Sequence, residues 1–168
     1  MATSDRYTKW FKISWDQLHK DSKTLARELS AKGPFSSIVA VTRGGLVPAA
    51  VIARELDIRL VDTLCISSYD WQSQTDGSAS VLKGVPGTGV GCLVIDDLVD
   101  TGKTARVVRQ LLPDAHFATV YVKPEGKSLV DTFIGDVSQD TWILFPWDSE
   151  LQYVKPLAKC DETEQGNE

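Results

Sequence analysis

A chain of 168 residues with 42% hydrophobic and 24% charged residues has the make-up of one ordinary globular domain, large enough for a single sheet with helices on both faces. Its formal charge of −5 argues against a general nucleic-acid binder, no apolar run approaches the length of a membrane span, and the first residues are polar rather than signal-like. The three cysteines, Cys65, Cys92 and Cys160, are odd in number with no CxxC spacing, which points to a reducing, cytoplasmic setting.

Residues 1 to 12 are polar, with Trp10 and Phe11 set among lysines. They read as an arm docked onto the fold, with an edge strand or a weak membrane-surface anchor as alternatives. Ser14-Trp15-Asp16-Gln17 has the form of a capping box, Ser14 capping the helix and Gln17 reaching back. Trp15, Leu18, Ser22, Leu25 and Leu29 follow at spacings of three and four and predict one buried helix stripe, stopped by Gly33-Pro34. Ile38 to Val41 predicts a buried strand ending in Thr42-Arg43-Gly44-Gly45, with Pro48 in the first turn of a helix to about Leu56. Two glycines let a backbone approach a ligand closely, and Arg43 adds a forked donor suited to phosphate. Taken alone, this is equally a tight turn with a solvated arginine. Val61 to Ile66 is a second strand, leaving Ser67, Ser68 and Tyr69 at its end. Residues 70 to 80 carry little that could enter a core, and such loops in compact domains are often lids.

Cys92-Leu93-Val94-Ile95 begins as a strand buried on both faces, then turns to Asp96-Asp97-Leu98-Val99-Asp100-Thr101-Gly102-Lys103-Thr104 and a helical pattern through Ala105, Val107, Val108, Leu111 and Leu112. Ligands of open α/β sheets collect outside the carboxyl ends of the strands, and the amides of Thr101 to Thr104 would form an anion site at the helix start. Carboxylates repel phosphate, so Asp96 and Asp97 call for a divalent cation or for sugar hydroxyls between the charges. The bland alternative is an N-cap with solvated charge. A phosphate-binding P-loop is excluded, because its first glycine would stand where this chain has Asp97.

Phe117 to Val122 is a further strand with Lys123-Pro124 at its carboxyl end, where a lysine is by default a surface charge. Asp140-Thr141-Trp142-Ile143 and Phe145-Pro146-Trp147-Asp148 follow, and a tryptophan there is by default core. The acidic tail from Cys160 onward is expected to be disordered, and there are no internal repeats.

The run from Cys92 to Thr104 resembles the phosphoribosyl-diphosphate (PRPP) binding motif of the type I phosphoribosyltransferases, and the resemblance covers roughly residues 14 to 157. Ser67-Ser68-Tyr69-Asp70, and the spacing of the aromatic segment after Lys123, resemble the bacterial xanthine-guanine group. The resemblance implies an α/β fold: a central, mainly parallel sheet flanked by helices, with a small hood over the active site. It implies one domain over residues 1–160, a mobile lid at about 70–89, a hood from about 133–157 plus N-terminal residues, and a tail at 161–168.

The implied reaction transfers the 5-phosphoribosyl group from PRPP to N9 of guanine or xanthine, and more weakly hypoxanthine, with Mg²⁺ as cofactor. Asp96, Asp97 and Asp100 are the implied catalytic residues, with Asp97 on the metal side. PRPP would be held by Arg43, Gly44, Asp96, Asp97, Leu98, Val99, Asp100, Thr101, Gly102, Lys103 and Thr104. The purine would be held by Asp100, Lys123, Trp142 and Ile143. A cis peptide is expected between Arg43 and Gly44, again by resemblance. One departure stands out: relatives carry a basic residue late in the lid, where this chain has Thr75, and Lys83 is the cation nearby that could replace it. The resemblance also implies a cytoplasmic homo-oligomer, a dimer or tetramer, without nucleic-acid partners or integral membrane association; weak peripheral attachment would rest on Trp10 and Phe11. The alternatives are a phosphoribosyltransferase for another base and a non-catalytic nucleotide- or RNA-binding regulator of the same fold.

Overall fold

The computed structural model describes residues 7–68 and 79–148. The expected lid core, with Tyr69, Asp70 and Thr75, lies outside these residues, as do the later part of the expected hood and the acidic tail. The elements in chain order are β1 (Lys9–Lys12), α1 (Trp15–Ser30), β2 (Ser37–Thr42), α2 (Leu46–Glu55), β3 (Val61–Ser68), β4 (Ala79–Lys83), β5 (Cys92–Val99), α3 (Lys103–Leu111), β6 (His116–Val122), β7 (Thr132–Asp136) and β8 (Thr141–Leu144).

The apolar runs at β2, β5 and β6 become the centre of a six-stranded sheet of order β4-β3-β2-β5-β6-β7, parallel except for β4 at one edge. Side chains alternate across a strand, so each run feeds two cores. Ile38 and Ala40 of β2, Leu93 and Ile95 of β5, and Ala118 and Val120 of β6 pack under α1 and α2. Val39, Val41, Val94 and Phe117 face the other way, against Ala105 and Val108 of α3. The chain leaves β2 through α2 on one face and β5 through α3 on the other. Adjacent β2 and β5 therefore form the switch point where loops diverge and a crevice opens above the sheet.

Several local expectations change in the folded chain. Ser14 caps α1, its Oγ accepting from Gln17 N at 3.1 Å, but the Gln17 side chain donates forward to Asp21 Oδ1 at 2.9 Å and does not close the box. Leu18, Ser22, Leu25 and Leu29 form the buried stripe, whereas Trp15 is 56% exposed and meets Trp147 edge-on. Position 15 opens the helix, where among the described residues Trp147 is the one aromatic ring seen to meet it. Residues 79–83, within the range expected for the lid, form β4, antiparallel to β3. Residues 132–136, where the hood was expected to begin, are β7 of the main sheet. The N-terminal arm docks as β1, a strand parallel to β8, and these two strands form a separate small sheet.

Candidate active site

Three segments converge at the carboxyl ends of β2, β5 and β6. The first is the turn Arg43-Gly44-Gly45. Its cis peptide lies between Thr42 and Arg43, one bond earlier than expected. Gly44 sits against Asp97: a Cβ added there would fall inside the Asp97 carboxylate, well under the 3.0 Å that real Cβ atoms respect. A Cβ on Gly45 would meet backbone, the carbonyls of Ile95 and Val41, the latter at 2.7 Å. The glycine pair thus lets one loop lie directly on β5. Arg43 is exposed at this rim.

The second segment carries the acidic pair. Asp96 is 7% exposed, and its Oδ1 accepts from Asp97 N at 2.9 Å; Asp97 Oδ1 accepts from Leu98 N at 2.7 Å. Burial, then the neighbouring Asp97 charge, pushes the Asp96 carboxyl well above its ordinary range. Burial raises Asp97 too, and Asp148 adds repulsion. Two adjacent carboxylates with little but backbone amides to balance them form a site short of positive charge. Beyond the pair, Gly102 caps α3 at φ +77°, and a Cβ there would meet Leu129 Cδ1 at 2.6 Å. That turn aims the first amides of α3 at the crevice, with Thr101 and Thr104 partly exposed and Lys103 exposed.

The third segment overturns the default reading of Lys123. It is 1% exposed, and its Nζ donates to Asp100 Oδ2 at 2.9 Å. A buried ammonium needs a counter-charge, and Asp100 is 23 positions away in sequence, so only the pairing of β5 with β6 supplies it. Lys123 N also donates to Val99 O, carrying the ladder up to the site. Trp142 on β8 is half-buried, and Ile143 beside it is buried.

Two residues at this site were not singled out from the sequence. Tyr7 donates its hydroxyl to Asp100 Oδ2 at 2.8 Å, lies 4.5 Å from Lys123 Nζ across its ring face, and meets Trp142 edge-on at 5.0 Å. Gln139 donates to Asp100 Oδ1 at 2.6 Å, and its Oε1 accepts from Glu125 N at 3.1 Å. The one signal for Tyr7 was an aromatic in a polar arm; Gln139 had none. Lys83, the possible replacement for a lid cation, lies on β4 with its Cα opposite Cys65, and Cys65 in turn pairs with Thr42 at the carboxyl end of β2. Its Nζ donates to Asp62 Oδ1 at 2.6 Å and to Thr63 O at 2.7 Å, in the amino-terminal half of β3.

Comparison with known proteins agrees with this geometry. Residues 14–154 match the phosphoribosyl transferase domain model. The chain is 68% identical over 158 residues to the xanthine-guanine phosphoribosyltransferase of Nitratidesulfovibrio vulgaris (strain DP4), covering 94% of this chain and 96% of that protein. Among solved structures, the purine phosphoribosyltransferase of Pyrococcus horikoshii Ot3 superposes with a TM-score of 0.71 at 25% identity, covering 88% of this chain and 99% of that one. The Helicobacter pylori xanthine-guanine-hypoxanthine enzyme gives 0.68 at 26%, covering 83% and 94%. Matched by that domain over most of its length and so close to a curated member, the chain belongs to the phosphoribosyltransferase family of glycosyl-transferring enzymes.

Proposed function

We propose that the protein is a purine-salvage enzyme that moves the 5-phosphoribosyl group of PRPP onto N9 of guanine or xanthine, and hypoxanthine more weakly, giving GMP or XMP and pyrophosphate. The observation that carries this reading is the buried Lys123–Asp100 pair beside Trp142, a few residues beyond the acidic pair on the same strand end. Lys123 offers a donor to a 6-oxo group, and Asp100 accepts from the purine N7 side and takes part in proton handling. An amino group at position 6 would leave the ammonium without an acceptor, a costly loss in a buried site. Trp142 stacks on the purine, and the Ile143 main chain serves the 2-substituent.

On the sugar side, the amides and hydroxyls from Leu98 through Val99, Asp100, Thr101, Gly102, Lys103 and Thr104 hold the 5′-phosphate. Arg43 and Gly44 hold the pyrophosphate. Asp96 and Asp97 hold the ribose hydroxyls, with Asp97 facing the metal. The residues present fit Mg²⁺: a pair of carboxylates destabilised by their own charge suits a hard cation that takes few protein ligands and completes its shell with water and substrate oxygens. When bound, Mg²⁺ supplies positive charge at the departing pyrophosphate. The bond from C1′ to pyrophosphate breaks, its electron pair leaving with pyrophosphate as C1′ gains oxocarbenium character; the N9–C1′ bond forms, and the proton displaced from the base passes to the Asp100 carboxylate and on to solvent.

The enzyme works in the cytoplasm as a homo-oligomer, a dimer or tetramer. Among the described residues no helix is long and apolar enough to cross a membrane. The test is pyrophosphate release with PRPP and Mg²⁺, offering guanine, xanthine, hypoxanthine, adenine and uracil in parallel. Turnover with the oxo-purines and not adenine is expected. Turnover with uracil alone, or with no base, would refute the base site.

A further inference from the structure

The base site just proposed is already filled. Tyr7 bonds Asp100 Oδ2, lies with its face 4.5 Å from Lys123 Nζ, and sits 5.0 Å from the Trp142 ring, so one side chain meets the three side chains assigned to the purine ring. A purine stacked on Trp142 needs a plane-to-plane distance of about 3.5–4 Å. With its 6-oxo group on Lys123 it also needs an approach of about 2.9 Å to Nζ. Both demands place its ring in the volume held by the phenol.

Resting on the proposed base site, we infer that Tyr7 is an internal stand-in for the purine, which seals the base subsite in the resting enzyme and must leave before a base can enter. The arm makes this exchange local. Thr8 N donates to Asp140 O at 2.8 Å, Thr8 Oγ1 donates to Asp140 Oδ2 at 2.8 Å, and β1 then pairs in register with β8, Trp10 against Trp142. Tyr7 stands just outside that anchored ladder. It can swing out while the ladder keeps Trp142 in place.

The seal keeps the buried Lys123 and Asp100 satisfied when no base is bound, and it excludes water from the subsite. Its cost falls equally on every base, because each must displace the same phenol: apparent affinity is reduced by the fraction of enzyme whose subsite is open. Tyr7 therefore sets base affinity without setting base selectivity. A wall residue touching the bound purine would do the opposite, helping binding and doing so unequally for different bases.

Tyr7→Phe and Tyr7→Ala in the full chain separate these roles. Phe keeps the ring and deletes the hydrogen bond to a charged acceptor; Ala deletes both. The KM values for guanine, xanthine and hypoxanthine, and the Kd of GMP by titration calorimetry, are each expected to fall by a common factor of about ten or more in Tyr7→Phe and further in Tyr7→Ala. The Kd of PRPP, which does not use the base subsite, is expected to be unchanged and reports that the variants are folded. Base KM and GMP Kd that rise, stay within twofold of the parent, or change by different factors for different bases would overturn the inference. A parent enzyme that binds PRPP but neither binds GMP nor turns over any oxo-purine would instead refute the base site itself, a separate failure visible before any Tyr7 variant is made.

Discussion

Gly44→Ala tests whether the first loop is built around the acidic pair. The new methyl would lie within the Asp97 carboxylate and far inside the 3.4 Å of ordinary contact, so carboxylate and loop must separate by about 1 Å. The obstacle is a side chain, so the fold can yield: overpacking of this kind costs about 1–3 kcal/mol. At about 2–4 °C per kcal/mol for a chain of this size, the melting temperature should drop by several degrees with the protein still folded. Function should suffer more, because a 1 Å misplacement of a positioned group can cost roughly a hundredfold in rate. Gly45→Ala is the contrast. Its methyl meets the Ile95 and Val41 carbonyls, which cannot rotate away, so it should lose soluble, folded protein first.

The assay is thermal melting, with PRPP-dependent pyrophosphate release on whatever folds. A double-mutant cycle isolates the contact: in an Asp97→Ala background, Gly44→Ala should lose most of its stability cost, since the carboxylate it strikes is gone. An equal cost in both backgrounds, or a Gly44→Ala enzyme of normal turnover, would refute the argument that Gly44 exists to admit Asp97.

Other consequences follow from the same geometry. Asp96→Asn should raise the melting temperature of the ligand-free protein, by about 0.5–2 kcal/mol of stability at pH 7, while PRPP affinity falls. Because burial lifts the folded-state carboxyl above its unfolded value, the parent gains stability as pH drops, so this advantage should shrink as pH falls through the raised range; an advantage constant with pH would count against it. Asp100→Asn should lower turnover far more than PRPP binding. It should also cost about 2–3 kcal/mol by leaving the buried Lys123 short of its counter-charge, and unchanged kcat would remove Asp100 from the catalytic role.

Much of the fold was legible because its signals are short-range. The two-faced strands β2, β5 and β6, the glycine turn after β2 and the polar turn before α3 are written in adjacent residues, as is the Ser14 cap. Periodicity and turn chemistry act over a few positions, so a sequence exposes them directly. Lys123 could be placed at the end of a strand, but its burial could not be read, since isolated spacing makes a lysine a surface charge. Trp15 fitted a helical stripe and is exposed, because the stripe says which face a residue occupies and not what lies above the helix end. Lys83 was near the lid in sequence, yet its ammonium is taken up by Asp62 and Thr63 of the neighbouring strand β3, a partner choice that no local pattern announces.

The sequence by itself determined the sheet, the crevice and the acidic pair. Tertiary structure alone decided what closes on them. Tyr7 reaches Asp100 across 93 positions and Gln139 reaches it across 39, through pairings of β1 with β8 and of β5 with β6 that no local pattern encodes. The physical reason is that long-range partners are chosen by strand register and buried charge balance, which are properties of the folded whole.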